Sequence, residues 1–128
     1  MDACEALGVG IIAYGALGHG LLSGKHSRSV GSVDGGRTLP EHHQNPKAVE
    51  AASKVGAIAQ ARGQTPAQLA LSWCLRKQVV CSAPIGVRTL DQLKENLAVL
   101  ERLELSPDDI KAISAVAADG QIYRRPRW

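Results

Sequence analysis

Apolar residues along this chain follow two patterns. In two short stretches nearly every position is apolar: Val9 to Tyr14, reading Val-Gly-Ile-Ile-Ala-Tyr, and Val79 to Ile85, reading Val-Val-Cys-Ser-Ala-Pro-Ile. Short continuous runs of this kind, with glycine at the borders, predict strands buried on both faces, as in parallel sheets. Pro84 removes one ladder donor, which is tolerable where a strand is finishing. Elsewhere the spacing is helical. Asn45-Pro46 combines an N-cap with Pro at the first helical position, and the helix it opens runs to about Arg62 before Gly63 stops it. Thr65-Pro66-Ala67-Gln68 is a capping box. In its helix Leu69 and Trp73, and Ala70 and Cys74, recur at i, i+4, which predicts one buried face. Thr89-Leu90-Asp91-Gln92 is a second capping box, opening a helix with Leu93, Leu97 and Leu100 inward. Ser106-Pro107-Asp108-Asp109 opens the last helix, with Ile110, Ile113 and Val116 on its apolar face.

The predicted order is strand, helix, helix, strand, helix, helix, an α/β pattern with parallel strands. Two parallel strands leave both edges unpaired and an apolar face uncovered, so the pattern reads as a slice of a larger sheet. A (β/α)8 TIM barrel needs about 250 residues. The 128 residues here are expected to form one partial domain, covering about the last two strands and their helices. Within 1–128, residues 15–44 read as a long loop, of a length usually tied to function or mobility. Residues 120–128, with Arg124, Arg125, Arg127 and Trp128, read as a docking or solvated tail rather than a basic arm.

Composition narrows this little. At 45% hydrophobic and 21% charged the balance is that of an ordinary globular domain, and with no Phe any core must be built from Ala, Val, Ile and Leu. A net charge of +3 suits an anionic ligand and is too weak a signal for nucleic acid. No apolar run reaches the roughly 20 residues of a membrane span. Met1 to Gly8 lacks the basic region of a secretory signal. Cys4, Cys74 and Cys81 are odd in number and widely spaced, as expected of reduced, buried thiols in the cytoplasm, and form no CxxC pair.

Two turns carry the candidate chemistry. After the second strand, Ile85-Gly86-Val87-Arg88-Thr89 places a glycine and a guanidinium before a capped helix. Gly86 permits close backbone approach, the helix start at Leu90 favours an anion, and Arg88 can grip a phosphate with two hydrogen bonds. Taken alone, such a turn is a common structural device. After the first strand, the glycine-rich stretch Tyr14 to Lys25 can turn backbone amides toward a pyrophosphate, although it lacks P-loop spacing. His19, His26, His42 and His43 have no carboxylate cluster beside them, so a solvated loop is expected rather than a metal site. Ser72 and Cys74 sit on the helix read as buried, where core packing is expected.

Together these segments resemble the aldo-keto reductases. That family carries Tyr-Ser-Pro-Leu-x-x-Gly-Leu-Leu-x-Gly-Lys after its seventh barrel strand. Here Tyr14, Leu17, Gly20, Leu21, Leu22, Gly24 and Lys25 stand in matching places. The family's Thr-Pro-Ala-Gln-x-Ala-Leu-x-Trp helix matches Thr65 to Trp73. Its Gly-x-Arg-x-x-x-Gln-Leu-x-x-Asn matches Gly86, Arg88, Gln92, Leu93 and Asn96, and its Leu-Ser-x-x-Asp matches Leu105, Ser106 and Asp109. The likeness runs from about Cys4 to Tyr123. Gly15 stands where the family usually has Ser, Ala16 where it has Pro, and His19 where a basic or small residue is common.

The resemblance implies an NADP(H)-dependent oxidoreductase acting on aldehydes or ketones. Tyr14 would stack on the nicotinamide. Backbone around Gly15, Leu17 and Gly20 would hold the pyrophosphate, with Lys25 adding charge. Arg88, beside Gly86, would meet the 2′-phosphate, and Gln92, Glu95 and Asn96 would lie along the adenosine. The family's catalytic Tyr, Lys, Asp and His motifs lie on its first four strands and are not found here. No catalytic or metal residue is assigned, and the chain alone is expected to be inactive. The alternatives are a non-catalytic NADP-binding module, self-associating to cover its edges, or a part that pairs with an N-terminal half to complete a barrel.

Overall fold

A computed structural model of the chain describes residues 1–24 and 45–119. Its elements are helix α1 (Asp2–Ala6), strand β1 (Ile11–Ile12), a 3₁₀ turn (Gly18–Gly20), helices α2 (Pro46–Ala61) and α3 (Pro66–Leu75), strand β2 (Val80–Ser82), helix α4 (Leu90–Leu97), a 3₁₀ helix (Ala98–Glu101) and helix α5 (Pro107–Asp119). The predicted order therefore holds, with the short helix α1 added ahead of the first strand.

The helix ends form where their signals stand. Asn45 Oδ1 accepts from the Lys47 amide at 3.0 Å, and Pro46 opens α2. At the other end Gly63 takes φ +66°. Its amide donates to Gln60 O at 2.9 Å, and that of Gln64 to Ala59 O at 2.9 Å. This is a Schellman closure, which needs the left-handed conformation that glycine adopts without cost. The α3 capping box is reciprocal: Gln68 N donates to Thr65 Oγ1 at 3.2 Å and Thr65 N to Gln68 Oε1 at 3.0 Å.

The core is built around Ala59, Leu69 and Ile113, with Val55, Ile58, Trp73 and Leu105 packed against it. Ala48 and Ala59 are fully covered, so α2 meets its neighbours through methyl groups, and α3 and α5 both lie against it. Helix α3 departs from the expected single buried face. Ala67, Leu69, Ala70, Leu71 and Ser72 are all buried, because α2, β2, α4 and the 3₁₀ helix contact it. Trp73 and Cys74 are only half-buried, and the Arg76 guanidinium sits 3.6 Å from the Trp73 ring centroid. Burial pushes the Cys74 thiol up and Arg76 only partly opposes this, so the group stays neutral as a packing residue.

The C-terminus of α2 is clamped to the start of α5. Arg62 Nη1 donates to Asp109, Nη2 to Glu104 O at 2.9 Å and Nε to Gln64 Oε1 at 2.9 Å. Gln64 Nε2 in turn donates to Arg102 O at 3.0 Å. Asp109 also closes a cap with Ser106, accepting from its amide at 2.9 Å and its hydroxyl at 2.7 Å. The Ser106 hydroxyl, its amide and the Arg62 cation hold the Asp109 carboxyl below the usual range, while burial opposes them.

β1 and β2 pair in parallel, Ile11 opposite Val80 and Ile12 opposite Ser82, with an irregularity between the two pairs. The expected parallel pairing is present, but burial on both faces is not. Ile12 is 66% exposed, Val9 is exposed, and of β2 only Val80 is buried. Among the described residues no further strand covers the edges of this two-stranded ribbon, so only the residue against α3 is shielded. Cys81 is likewise exposed and Cys4 half-buried, so of the three free thiols none is the fully buried group expected.

In α4 the inward leucines are displaced. Leu97 and Leu100 are 51% and 62% exposed, and the buried positions are Asn96 and Val99. The helix tightens to 3₁₀ after Leu97, and three residues per turn instead of 3.6 bring Val99 under the helix in place of Leu100. Ile113 is the buried anchor of α5, while Ile110 is partly exposed.

Candidate functional site

Both candidate turns leave the same edge of the sheet. The strands are parallel, so the chain exits β1 at Ala13-Tyr14 and β2 at Ala83 on one side, where Ala13 N donates to Ser82 O at 2.8 Å. In open and closed α/β sheets alike, ligands bind outside the carboxyl ends of the strands, where loops converge.

The first turn is compact and left-handed. Gly15, Gly18 and Gly20 have φ of +71°, +56° and +98°, and His19 joins them at +53°, a region few residues other than glycine adopt. Gly18 N donates to Gly15 O at 2.8 Å, Gly20 N to Leu17 O at 3.0 Å and Leu22 N to Leu17 O at 3.1 Å. The Ser23 hydroxyl adds a bond to Gly20 O at 2.7 Å. The amide of Gly20 is thus engaged within the turn. Tyr14 stands 77% exposed, with the His19 ring edge-on at 6.1 Å between centroids. Lys25 lies outside the described residues, as do His26, His42, His43 and Tyr123.

The second turn is exposed from Gly86 to Thr89. Thr89 Oγ1 caps α4 by accepting from Gln92 N at 3.2 Å. The predicted box is not reciprocal, however. Gln92 Oε1 reaches one residue further and accepts from Arg88 N at 2.8 Å. That bond ties the Arg88 backbone to the first turn of α4. At Gly86 and at Gly15 an added Cβ would meet nothing within 4 Å, so open space lies over both backbones.

Further along α4, Glu95 is half-buried and its carbonyl accepts from Gln68 Nε2 at 2.9 Å. Asn96 is 6% exposed, and among the described residues its side-chain amide makes no hydrogen bond. A buried amide left unpaired costs about 1–3 kcal/mol, a deficit that a bound polar ligand would remove. The Gln68 contact escapes a motif reading, since its sequence signal is only the choice of Gln over Glu in the Thr65 box. Among the described residues no group of His, Cys, Asp and Glu could hold a metal ion, and no helix is long and apolar enough to cross a membrane.

The chain matches the Aldo/keto reductase family over residues 1–118. It is 34% identical to an L-glyceraldehyde 3-phosphate reductase of Escherichia coli K12, over 95% of this chain and 37% of that protein. It is 36% identical to protein Tas of the same organism, over 93% of this chain and 34% of that protein. The structure of a glycerol dehydrogenase from Gluconobacter oxydans superimposes with a TM-score of 0.71 at 22% identity, over 98% of this chain and 39% of the other. That likeness concerns the fold. The chain spans little more than a third of the length of the curated relatives it matches.

Proposed function

The chain belongs to the aldo/keto reductase family, and on that premise we propose that it supplies the cofactor-gripping part of an NADP(H)-dependent carbonyl oxidoreductase. The observation that carries this reading is the parallel pairing of β1 with β2, which delivers the 14–24 turn and the 86–96 segment to one sheet edge. The buried side-chain amide of Asn96, unpaired among the described residues, and the open space over Gly15 and Gly86 fit an adenine dinucleotide.

When bound, the cofactor would supply a hydride. The residues here would bind and orient it. Arg88, its backbone held by Gln92, would pair with the 2′-phosphate through two charge-assisted bonds. Gln92, Glu95 and Asn96 would line the adenosine, with Gln92 offering its amide NH₂ because its oxygen is taken. Exposed Tyr14 would lie against the nicotinamide. Gly15, Leu17 and Gly20 would bound the pyrophosphate, Gly20 by its lack of a side chain because its own amide is engaged, and Lys25 would add charge. None of these residues is poised to give the carbonyl oxygen a proton. The family's Tyr, supported by Lys, Asp and His, has no counterpart among the motifs of this chain.

The pure chain is therefore expected to bind NADP⁺ in preference to NAD⁺ in calorimetric titration, and not to consume NADPH with an aldehyde. Arg88→Ala should weaken NADP⁺ binding by about tenfold or more, the loss of a charge-assisted pair, and leave NAD⁺ nearly unchanged. Absence of saturation at millimolar NADP⁺, or aldehyde-dependent NADPH consumption by the pure chain, would overturn the proposal. The exposed Leu7, Val9 and Ile12 beside the open ribbon favour, as a second reading, a part that docks with the remaining strands of a barrel.

A further inference from the structure

Gln68 makes more contacts than a cap needs. Its Oε1 accepts from the Thr65 backbone amide at 3.0 Å and its backbone N–H donates to Thr65 Oγ1 at 3.2 Å, which completes the box on α3. Glu fills that position in a capping box equally well, and its charge would also suit the helix N-terminus. What Glu lacks is the second half of the amide. Gln68 Nε2 donates to the carbonyl of Glu95, 27 residues away, at 2.9 Å. This carbonyl lies in the last turn of α4, three residues before the 3₁₀ helix begins at Ala98.

The Glu95 carbonyl and the Asn96 amide belong to one planar peptide unit. A bond that fixes the carbonyl therefore fixes the plane from which the Asn96 side chain departs. Asn96 is the buried residue whose side-chain amide has no partner among the described residues. Such a group binds a ligand well only if held in place beforehand, because a misplaced buried amide loses its bond and keeps its desolvation cost. Gln68 itself sits at the start of α3, the helix with the most buried residues among those described, so it is a rigid point from which to hold α4.

We propose that Gln68 is a positioning residue for the cofactor site, joining the α3 cap to the Glu95–Asn96 peptide so that Asn96 is set for the adenosine end of NADP(H). This rests on the cofactor reading above. Two substitutions in the full chain separate the two jobs of Gln68. Gln68→Glu keeps an acceptor for Thr65 N but sets a carboxylate against the Glu95 carbonyl. Thr65→Ala weakens the cap and leaves the Gln68 donor in place. Gln68→Glu is expected to raise the Kd for NADP⁺ about tenfold, the size of one lost hydrogen bond in a preformed site, and to lower the melting temperature no more than Thr65→Ala does. Thr65→Ala should lower the melting temperature and change the Kd less than about twofold, since caps contribute to stability and not to this contact. Gln68→Glu binding NADP⁺ like the parent would overturn the proposal, as would equal loss of affinity in both variants. A readout without cofactor keeps the two readings apart. In ¹⁵N spectra Gln68→Glu should shift the Asn96 backbone and side-chain amides more than the Thr65 amide. Unmoved Asn96 signals overturn the positioning role, whereas moved signals in a chain that binds no NADP⁺ support the positioning and sink the cofactor assignment.

Discussion

Gly15 and Gly86 look alike in sequence, each a glycine just past a strand, but their backbones differ. Gly15 has φ +71°, whereas Gly86 is absent from the left-handed glycines, and neither would crowd a neighbour if it gained a Cβ. Gly15→Ala should therefore cost about 1 kcal/mol through backbone strain whatever binds. Gly86→Ala should be neutral or add about 0.4–1 kcal/mol by narrowing the unfolded ensemble. If the Gly86 backbone approaches the adenosine phosphate, Gly86→Ala should nonetheless weaken NADP⁺ by about tenfold. Thermal melts and calorimetry on the same sample check both halves, and unchanged affinity would remove Gly86 from the site. At this scale the sequence was informative about residue type and silent on contact. It marked Gln92 as a cap residue, but only the coordinates show its oxygen on Arg88 N instead of Thr89 N.

At the scale of elements, the clamp between α2 and α5 responds to pH. The Asp109 carboxyl is depressed in the folded chain by Ser106 and Arg62, so its contribution is complete above its unfolded value of about 3.9 and is lost as pH falls through the lower folded value. Asp109→Asn should lower stability at neutral pH by about 1.5 kcal/mol, the weight of a hydrogen bond to a charged group. The gap to the parent chain should start to narrow below roughly pH 4 and shrink further as pH falls toward the lower folded value, where the parent carboxyl also becomes neutral. Denaturant melts at pH 7 and pH 3 test this, and a constant gap would show that the charge does not matter. Helix starts and stops were the most legible elements, because caps are local chemistry: Asn45, Gly63 and Thr65 act within a few residues of where they stand. Burial was less legible. Leu100 is expected inside on a steady 3.6-residue period, which the 3₁₀ segment from Ala98 breaks, whereas Leu97 lies in the regular helix and is exposed because the face turned inward there carries Asn96. β1 covers only Ile11–Ile12 of the apolar run from Val9 to Tyr14, because the ladder extends only as far as the short β2 pairs with it.

At the scale of the molecule, the ribbon is the exposed part and the helices are the closed part. Leu7, Val9, Ile12 and Tyr14 around β1, with Leu97 at the end of α4 and Leu100 after it, are large apolar residues in solvent. Such surface marks an interface more often than a free face. Sedimentation of the pure chain should show concentration-dependent self-association. Adding a fragment with the first six strands of a relative should replace it with a one-to-one complex, and a clean monomer that ignores the fragment would count against docking. The ribbon also sets a timetable. The Cys81 thiol contacts Ile11 O across 70 residues of chain, whereas α2 and α3 are neighbours in sequence. Closing so long a loop is slow, because its entropy is spent before any strand contact forms. The helices should assemble first and the strands last, so the Ile11 and Ala13 amides should exchange with solvent sooner than those of α3. A ligand bridging both turns would then act after the folding barrier, leaving the refolding rate alone and slowing unfolding.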